Sequence, residues 1–445
     1  MYIRKIWIEN VRCFGADARK VEIDLQRPDG RFAGWTVFAG RNGAGKSTLL
    51  KSVALAVVGV SNKGNLEETF AGWIRQGAAH AYIGVELDVG TRDLFSGGGN
   101  VAGGREPFWA DIDLLPSPEG PEPIVRASIH NGRPKNRERG PWAENPRGWF
   151  LAGYGPFRRL SGHSADAVRQ MAGPARIARV VSLFREDASL AECVTWFRDV
   201  YTRRLEKKPG AKELEESVLA LLNDGLLPAG MKIERVDSDG LWTQRDGVKL
   251  PLRELSDGYR TVAALVLDLV KQLQASHGDL EVVWKGTTPV VPHAGVVLID
   301  EADIHLHVSW QQRLGFWLKE HFPNIQFLIT THSPFICQAA DPRGLIRLPT
   351  PGTEERVEHV SDELFKEVVQ GGADDAAMSA LFGLEHSHSD ASEALRRRIA
   401  QMEARSFRGL STPEEEEELS RLRQQLPQTG NVALEQVLRN VRAAE

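Results

Sequence analysis

Long apolar runs are missing from this chain. The longest, at 53–60 and 294–299, fall far short of the ~18 residues that a membrane-spanning helix needs. No membrane association through a span is expected. The opening stretch MYIRKIWIENVRCF alternates apolar and polar residues like a strand and lacks an apolar core followed by a small-residue cleavage site, so no secretion signal is read. Cysteine is scarce. The three, Cys13, Cys193 and Cys337, match no zinc or redox spacing, and an odd number leaves one unpaired. A soluble protein of the reducing cytoplasm is the expectation. An excess of one charge sign is also absent: 55 Lys+Arg stand against 60 Asp+Glu, a net charge of −5, which excludes wholesale coating of nucleic acid and leaves local basic faces open. There is no internal repeat.

The 445 residues are enough for two or three lobes. From 1 to 50 the pattern is strand, turn, strand, then a buried strand at 35–39 that feeds a glycine-rich loop and a helix starting near Lys46. A strand is expected at 80–89, and a loop at 95–105 where glycine dominates. Residues 133–139 carry Arg133, Lys135, Arg137 and Arg139 and read first as a solvated loop, second as phosphate contacts, as do Arg203, Arg204, Lys207 and Lys208. The stretch from Ser164 to about Leu227 is helical and polar, with Val194, Phe197, Val200 and Tyr201 near 3.6-residue spacing. Strand-helix alternation resumes at Met231 and runs to about Leu348. The expected architecture is therefore an α/β core in two parts, 1–160 and 231–350, around a helical insertion lobe at 161–230, with a helical C-terminal extension at 351–445.

Four motifs carry the chemistry. Gly40-Arg41-Asn42-Gly43-Ala44-Gly45-Lys46-Ser47 satisfies G-x-x-x-x-G-K-[ST] after an apolar strand and before a helix. Its glycines let the backbone wrap phosphates, its amides and Lys46 supply positive charge, and the Ser47 hydroxyl can reach Mg²⁺. Val296-Val297-Leu298-Ile299 suits a buried parallel strand and ends in Asp300 and Glu301. Asp300 can hold Mg²⁺ and Glu301 can polarise a water attacking the γ-phosphate, although a helix cap explains one carboxylate alone. A third strand, IQFLITT, ends at His332, which places an imidazole at the carboxyl edge of the sheet where ligands bind. Leu255-Ser256-Asp257-Gly258-Tyr259 precedes an apolar helical run. Ser256 or Asp257 can cap that helix, whose N-terminus makes a second anion site.

LSDGY resembles the ABC signature motif, and with GRNGAGKST, VLIDEADIHLH and ITTHSP it is similar to the soluble ABC-type ATPases of the RecF, SMC and OLD group, over about residues 1 to 348. That resemblance implies an ABC-type P-loop head that hydrolyses ATP to ADP and phosphate with Mg²⁺, and that dimerises head to tail or forms a higher oligomer. By position it implies ATP contacts from Arg12, Gly40, Asn42, Gly43, Gly45, Lys46, Ser47 and Thr48, with Ser47 and Asp300 on the metal. Glu301 takes the place of the catalytic carboxylate and His332 of the switch histidine. Ser256, Asp257 and Gly258 would act on the nucleotide of the partner head. Leu306-His307 falls in the D-loop, where His305 and His307 are expected to pack rather than bind metal, and Ala302 stands where proline is usual. For the Q-loop, Gln76 and the turn Tyr154-Gly155-Pro156-Phe157-Arg158 compete, the second being preferred. The heptad arms of SMC chains are absent.

The short head, the WFLAGYGPFRRLSG segment and the tail resemble most the ATPase subunits of Septu-type antiphage defence systems, which implies an HNH-type nuclease partner. A RecF-like DNA-repair ATPase and a slow-hydrolysing ATP-bound scaffold are the alternatives, and contact with nucleic acid stays open. No nuclease activity is expected in this chain. In the tail, His386-Ser-His388-Ser-Asp390 has metallohydrolase spacing, but Ser389 or Asp390 reads better as the cap of a helix at 391–405; a capping box at Thr412-Pro413-Glu414-Glu415 starts a second helix, and a third follows Asn431.

Overall fold

A computed structural model of the chain describes residues 1–97, 104–128, 133–158, 174–227, 230–386 and 388–426. The chain begins with β1 (Tyr2–Glu9) and β2 (Val21–Asp24), enters β3 (Gly34–Ala39) and the helix Lys46–Val58, and returns through β4 (Ala81–Asp88), β5 (Phe108–Ser117) and β6 (Gly120–Ala127). Five of these strands form an antiparallel sheet in the order β2-β1-β4-β5-β6. The remaining one, β3, belongs to a second sheet, because its residues are apolar on both faces and need cover on both sides.

That second sheet is completed by β7 (Leu151–Tyr154), β13 (Gly295–Ile299), β14 (Ile325–Thr330), β15 (Leu345–Arg347) and β16 (Glu358–His359), in the order β16-β15-β3-β14-β13-β7. All its pairs are parallel except β15 with β16. Alternate side chains of one strand feed two cores: Trp35, Val37, Ile299 and Phe327 enter one, Phe38, Leu298 and Leu328 the other, which they share with Ile3, Ile6 and Ile83 of the antiparallel sheet. Each such fully buried side chain contributes about 1.5–3 kcal/mol of burial. The buried amide of Gln326 clamps the two sheets, accepting from the Ile3 amide at 2.7 Å and donating to the Ile3 carbonyl at 2.8 Å.

Three expectations are corrected. First, the helices Ala191–Leu205 and Ala211–Asn223 are not a separate lobe. Their apolar stripes, Cys193, Phe197 and Val200 with Val218 and Leu221, are buried in the same core as Trp35 and Phe327. Residues 161–173 and 228–229 of that stretch lie outside the described residues. Second, the chain after Met231 does not go straight back to strand-helix alternation. It makes an antiparallel meander, β8 (Lys232–Asp237), β9 (Gly240–Arg245) and β10 (Val248–Pro251). The β9-β10 turn is Asp246-Gly247 with φ of 51° and 81°, the positive pair that an Asp-Gly hairpin turn requires. The helix Asp257–His277 and a short hairpin, β11 (Val283–Lys285) with β12 (Thr288–Val290), then lead to β13.

Third, the chain divides at Phe382/Gly383 and not at residue 351. β16 pairs with β15, and Val368 of the helix Asp362–Gln370 and Ala376 of Ala373–Met378 are buried in the first core, so this segment belongs to the first unit. The second unit contains the antiparallel helices Asp390–Phe407 and Pro413–Gln425, tied by Arg405–Glu415 at 3.0 Å and Arg423–Glu403 at 2.6 Å. Ser389 caps the first and Thr412 with Glu415 forms the capping box of the second. The helix expected after Asn431 lies outside the described residues. No helix among those described is long and apolar enough to cross a membrane.

Candidate functional site

The loop after β3 closes on the helix Lys46–Val58 through Gly45, whose φ of 95° is left-handed. A Cβ there would lie 2.5 Å from Cys13 Sγ and 2.7 Å from Phe14 Cζ, so no other residue fits. The helix has no side-chain cap and no acid in its first turn, which leaves its positive end to an external anion. Lys46 folds back along the loop, its Nζ donating to the carbonyls of Gly40 at 2.9 Å and Arg41 at 3.1 Å. Burial pulls the Lys46 pKa below its ordinary value, opposed by the field of Glu301, Asp300 and Asp303.

Asp300 and Glu301 leave the end of β13, the strand flanked by β7 and β14. The Asp300 amide donates to the Tyr154 carbonyl at 2.8 Å, and its buried carboxylate accepts from the Thr330 hydroxyl. The same hydroxyl oxygen accepts the Glu301 amide at 2.8 Å. Glu301 itself is left-handed, φ 47°. Burial, then the charges of Asp300 and Asp303, hold its carboxyl above the ordinary range. His332 follows β14. Burial and then Lys46 push its pKa down, toward the neutral imidazole.

These side chains meet. A cavity of about 350 Å³ is lined by Arg12, Cys13, Asn42, Gly43, Gly45, Lys46, Ser47, Thr48, Glu301 and His332. Gly40 supplies a carbonyl to Lys46 behind it, and Asp300 is buried beneath Glu301. Arg12 is held 4.6 Å over the Trp73 ring and 3.8 Å from Glu67. Ser256, Asp257 and Gly258 are not brought there. They line a different cavity, of about 580 Å³, with His305, His307 and Trp310. Ser256 stands at the N-cap of Asp257–His277 without a side-chain cap bond, and Asp257 pairs with Arg260 instead. A Cβ on Gly258 would lie 2.7 Å from Trp310 Cζ3 and 2.9 Å from the His305 carbonyl, which explains the glycine by packing. His307 caps the helix Val308–His321, its Nδ1 accepting from the Ser309 amide at 3.2 Å.

Several residues of the site escape a reading of the sequence. Asp303 accepts from the Thr331 hydroxyl and from the His332 amide. Thr330 and Thr331 were visible only as the end of a strand. Gln76 is exposed and lines no part of the nucleotide-sized cavity, whereas Arg158, at the end of the Tyr154–Arg158 turn, reaches the carbonyls of Asp300 and Glu301. The basic segment 133–139 is corrected: Pro134–Arg139 is a helix, Arg137 is buried on Asp111, Arg133 pairs with Glu106 at 2.6 Å and Arg139 donates to the Ser96 and Gly97 carbonyls. Arg204 likewise pairs with Glu215 at 2.8 Å. In the tail, His386 Nδ1 lies 2.8 Å from the His388 carbonyl, and Ser389 is spent on its helix.

A glycine loop between a parallel strand and a helix, paired acids at the end of the strand two positions over, a histidine just after the strand between them and a remote Ser-Asp-Gly helix define an ABC-type P-loop head. The family described as "AAA domain, putative AbiEii toxin, Type IV TA system" matches residues 174–338, and one described as "AAA domain" matches 5–99. The chain is related to the Septu protein PtuA of Bacillus mycoides (strain KBAB4), 25% identical over 344 residues, 75% of this chain and 38% of that protein. The Retron Ec83 probable ATPase of Escherichia coli is 37% identical over 117 residues, 26% of this chain and 20% of that one. Across these two relatives the chain covers 20% to 38% of their length. Among solved structures, an SMC head bound to the C-winged helix domain of ScpA superposes with a TM-score of 0.49 at 17% identity, over 82% of this chain and 99% of that one.

Proposed function

We propose that this chain is an ATP-hydrolysing switch, working as a dimer or higher oligomer of heads, in an antiphage defence complex where it controls a partner nuclease of HNH type. The observation that carries the ATPase part is the convergence of Lys46, Ser47, Glu301 and His332 on one cavity while Ser256 and Gly258 face another. Two half-sites on one chain are completed when the signature face of one head covers the nucleotide of a second. The defence role rests on the relation to PtuA and the retron ATPase.

In this reading the loop amides and Lys46 bind the β- and γ-phosphates, for which Lys46 exchanges the Gly40 and Arg41 carbonyls for phosphate oxygens. Ser47 and Asp300 present the hard oxygen donors that suit Mg²⁺, which when bound neutralises charge building on the phosphates. Glu301 orients and deprotonates the attacking water; His332, kept neutral, offers a hydrogen bond to that water or to the γ-phosphate. Cleavage of nucleic acid is left to the partner.

The test is ATP turnover together with nucleotide-dependent association measured by size. Glu301→Gln should bind ATP and Mg²⁺, lose at least ~100-fold in turnover and accumulate as closed dimers. Lys46→Ala should lose nucleotide affinity. Wild-type turnover by Glu301→Gln removes the assignment, and a wild-type chain that binds ATP without turnover makes it a scaffold. Co-purification with the product of a neighbouring HNH reading frame tests the partner separately.

A further inference from the structure

The side chain of Arg158 is buried, with 2% of the residue exposed, yet it makes no ion pair with any carboxylate among the described residues. Its guanidinium is used on main-chain oxygen instead. Nη1 donates to the carbonyls of Gly155 and Asp300, each at 2.9 Å, and Nη2 to the carbonyl of Glu301 at 3.1 Å, while Nε has no hydrogen-bond partner among the described residues. Burying a charge on carbonyl groups is costly and needs a reason beyond packing. Burial drags the pKa of this arginine down to about 10, with the field of Asp300, Asp303 and Glu301 opposing.

The reason lies in the backbone that Arg158 holds. Glu301 is in the left-handed region, where a residue with a Cβ persists only if its surroundings impose it. Its amide is pinned by Thr330 Oγ1 at 2.8 Å, its carbonyl accepts from Arg158 and from the Ile304 amide, each at 3.1 Å, and the Ala302 amide donates to the Thr330 carbonyl at 2.9 Å; of these, the Arg158 bond alone is a side-chain bond to the Glu301 carbonyl. With both neighbouring peptide planes tied, φ and ψ of Glu301 are fixed, and with them the direction of the Cα–Cβ bond from which its side chain lines the cavity. A lysine would bring the charge but not the planar fork that spans two successive carbonyls.

We propose that Arg158 is a positioning residue for Glu301: by bridging the carbonyls of Asp300 and Glu301 it keeps the left-handed turn that aims the carboxylate at the attacking water. The part concerning turnover rests on the ATPase reading above; the part concerning the turn does not.

The full chain serves for the test, as wild type, Arg158→Met, Arg158→Lys and Arg158→Ala. Amide hydrogen exchange of the peptide covering 300–303 reads the turn directly and should quicken at least ~10-fold in Arg158→Met. Turnover should fall ~30-fold or more, with ATP affinity, read by a fluorescent ATP analogue, within ~3-fold of wild type. Millimolar guanidinium should restore part of the activity of Arg158→Ala. Should Arg158→Met fail to fold, Arg158→Lys decides, with the same faster exchange and reduced turnover expected. Unchanged exchange at 300–303 in a folded variant overturns the proposal, as does a loss of turnover that merely follows lost affinity or thermal stability. If wild type hydrolyses no ATP, the ATPase reading fails, and the exchange measurement still decides whether Arg158 holds the turn.

Discussion

Asp303 accepts the main-chain amide of His332 at 3.2 Å, and the hydroxyl of the preceding Thr331 donates to the same carboxylate oxygen. The bond joins the turn after β13 to the turn after β14, so the two loops that carry Glu301 and His332 are tied to each other. Asp303→Ala leaves a hydroxyl and an amide without their acceptor and should cost about 1–3 kcal/mol of stability. It should also lower turnover ~10-fold with little change in ATP affinity. Thermal melts and steady-state kinetics check both; a stable variant with wild-type kcat sinks the idea that this bond sets the His332 turn.

Thr330 serves two acids with one hydroxyl, donating to Asp300 and accepting from the Glu301 amide. Thr330→Val keeps the shape and removes both bonds. Because both partners are left unpaired, it should destabilise by about 1–3 kcal/mol, and Thr330→Ser should recover most of that. Equal melting of the valine and serine variants would show the hydroxyl to be dispensable.

Gly258→Ala is expected to bind ATP like wild type and to turn it over far less. The added methyl meets Trp310 and the His305 carbonyl, which displaces the signature helix from the following D-loop without touching the Lys46 cavity. Weakened ATP binding at unchanged turnover would contradict the separation of the two half-sites.

Stability should fall as pH is lowered through weak acid. Burial depresses the pKa of His277 to about 4 and outweighs Asp279, 3.7 Å from His293 Nε2, to lower that of His293, whose ring lies 4.5 Å from that of His277. Both histidines then take up protons in the unfolded chain before the folded one. The stability their neutral forms contribute is full above the unfolded value of about 6.5 and declines as pH falls from there toward about 4. Denaturant midpoints between pH 7 and 4.5 measure it. His293→Leu should flatten the slope; an unchanged slope assigns the effect to other groups.

Much of the lining of the Lys46 cavity was legible because it is local. Gly40 to Thr48 is a continuous loop and helix start, and Asp300-Glu301 and His332 are each the tip of an apolar strand, so order and spacing name them without any fold. Asp303 gave no such signal, and Arg158 was named only as the last residue of the preferred Q-loop turn. Arg158 sits in a segment rich in arginine, and its distinction is to be inserted under a strand 142 residues away. Arg137 misled for the converse reason: four basic residues in seven look like a solvated face until the chain closes and Asp111 receives one of them. The helices after Ala191 read as a lobe of their own since amphipathic periodicity reports which face is apolar, never what it will cover.

The amino-acid sequence alone determined the ABC-type P-loop class and singled out Arg12, Lys46, Ser47, Glu301 and His332, which the fold brings to one cavity. Those motifs are short, and their chemistry depends on backbone conformations that glycine, a strand tip or a helix N-terminus imposes locally. Only the tertiary structure decided that Ser256 and Gly258 face a cavity other than that of Lys46, that residues 351–382 belong to the head, and that Arg158 and Thr330 hold the Glu301 turn from two sides. Each of those is a pairing between segments far apart in the chain. Such pairings follow from which apolar faces bury one another and which buried carbonyls must find a donor, and neither condition is defined until the sheet has formed.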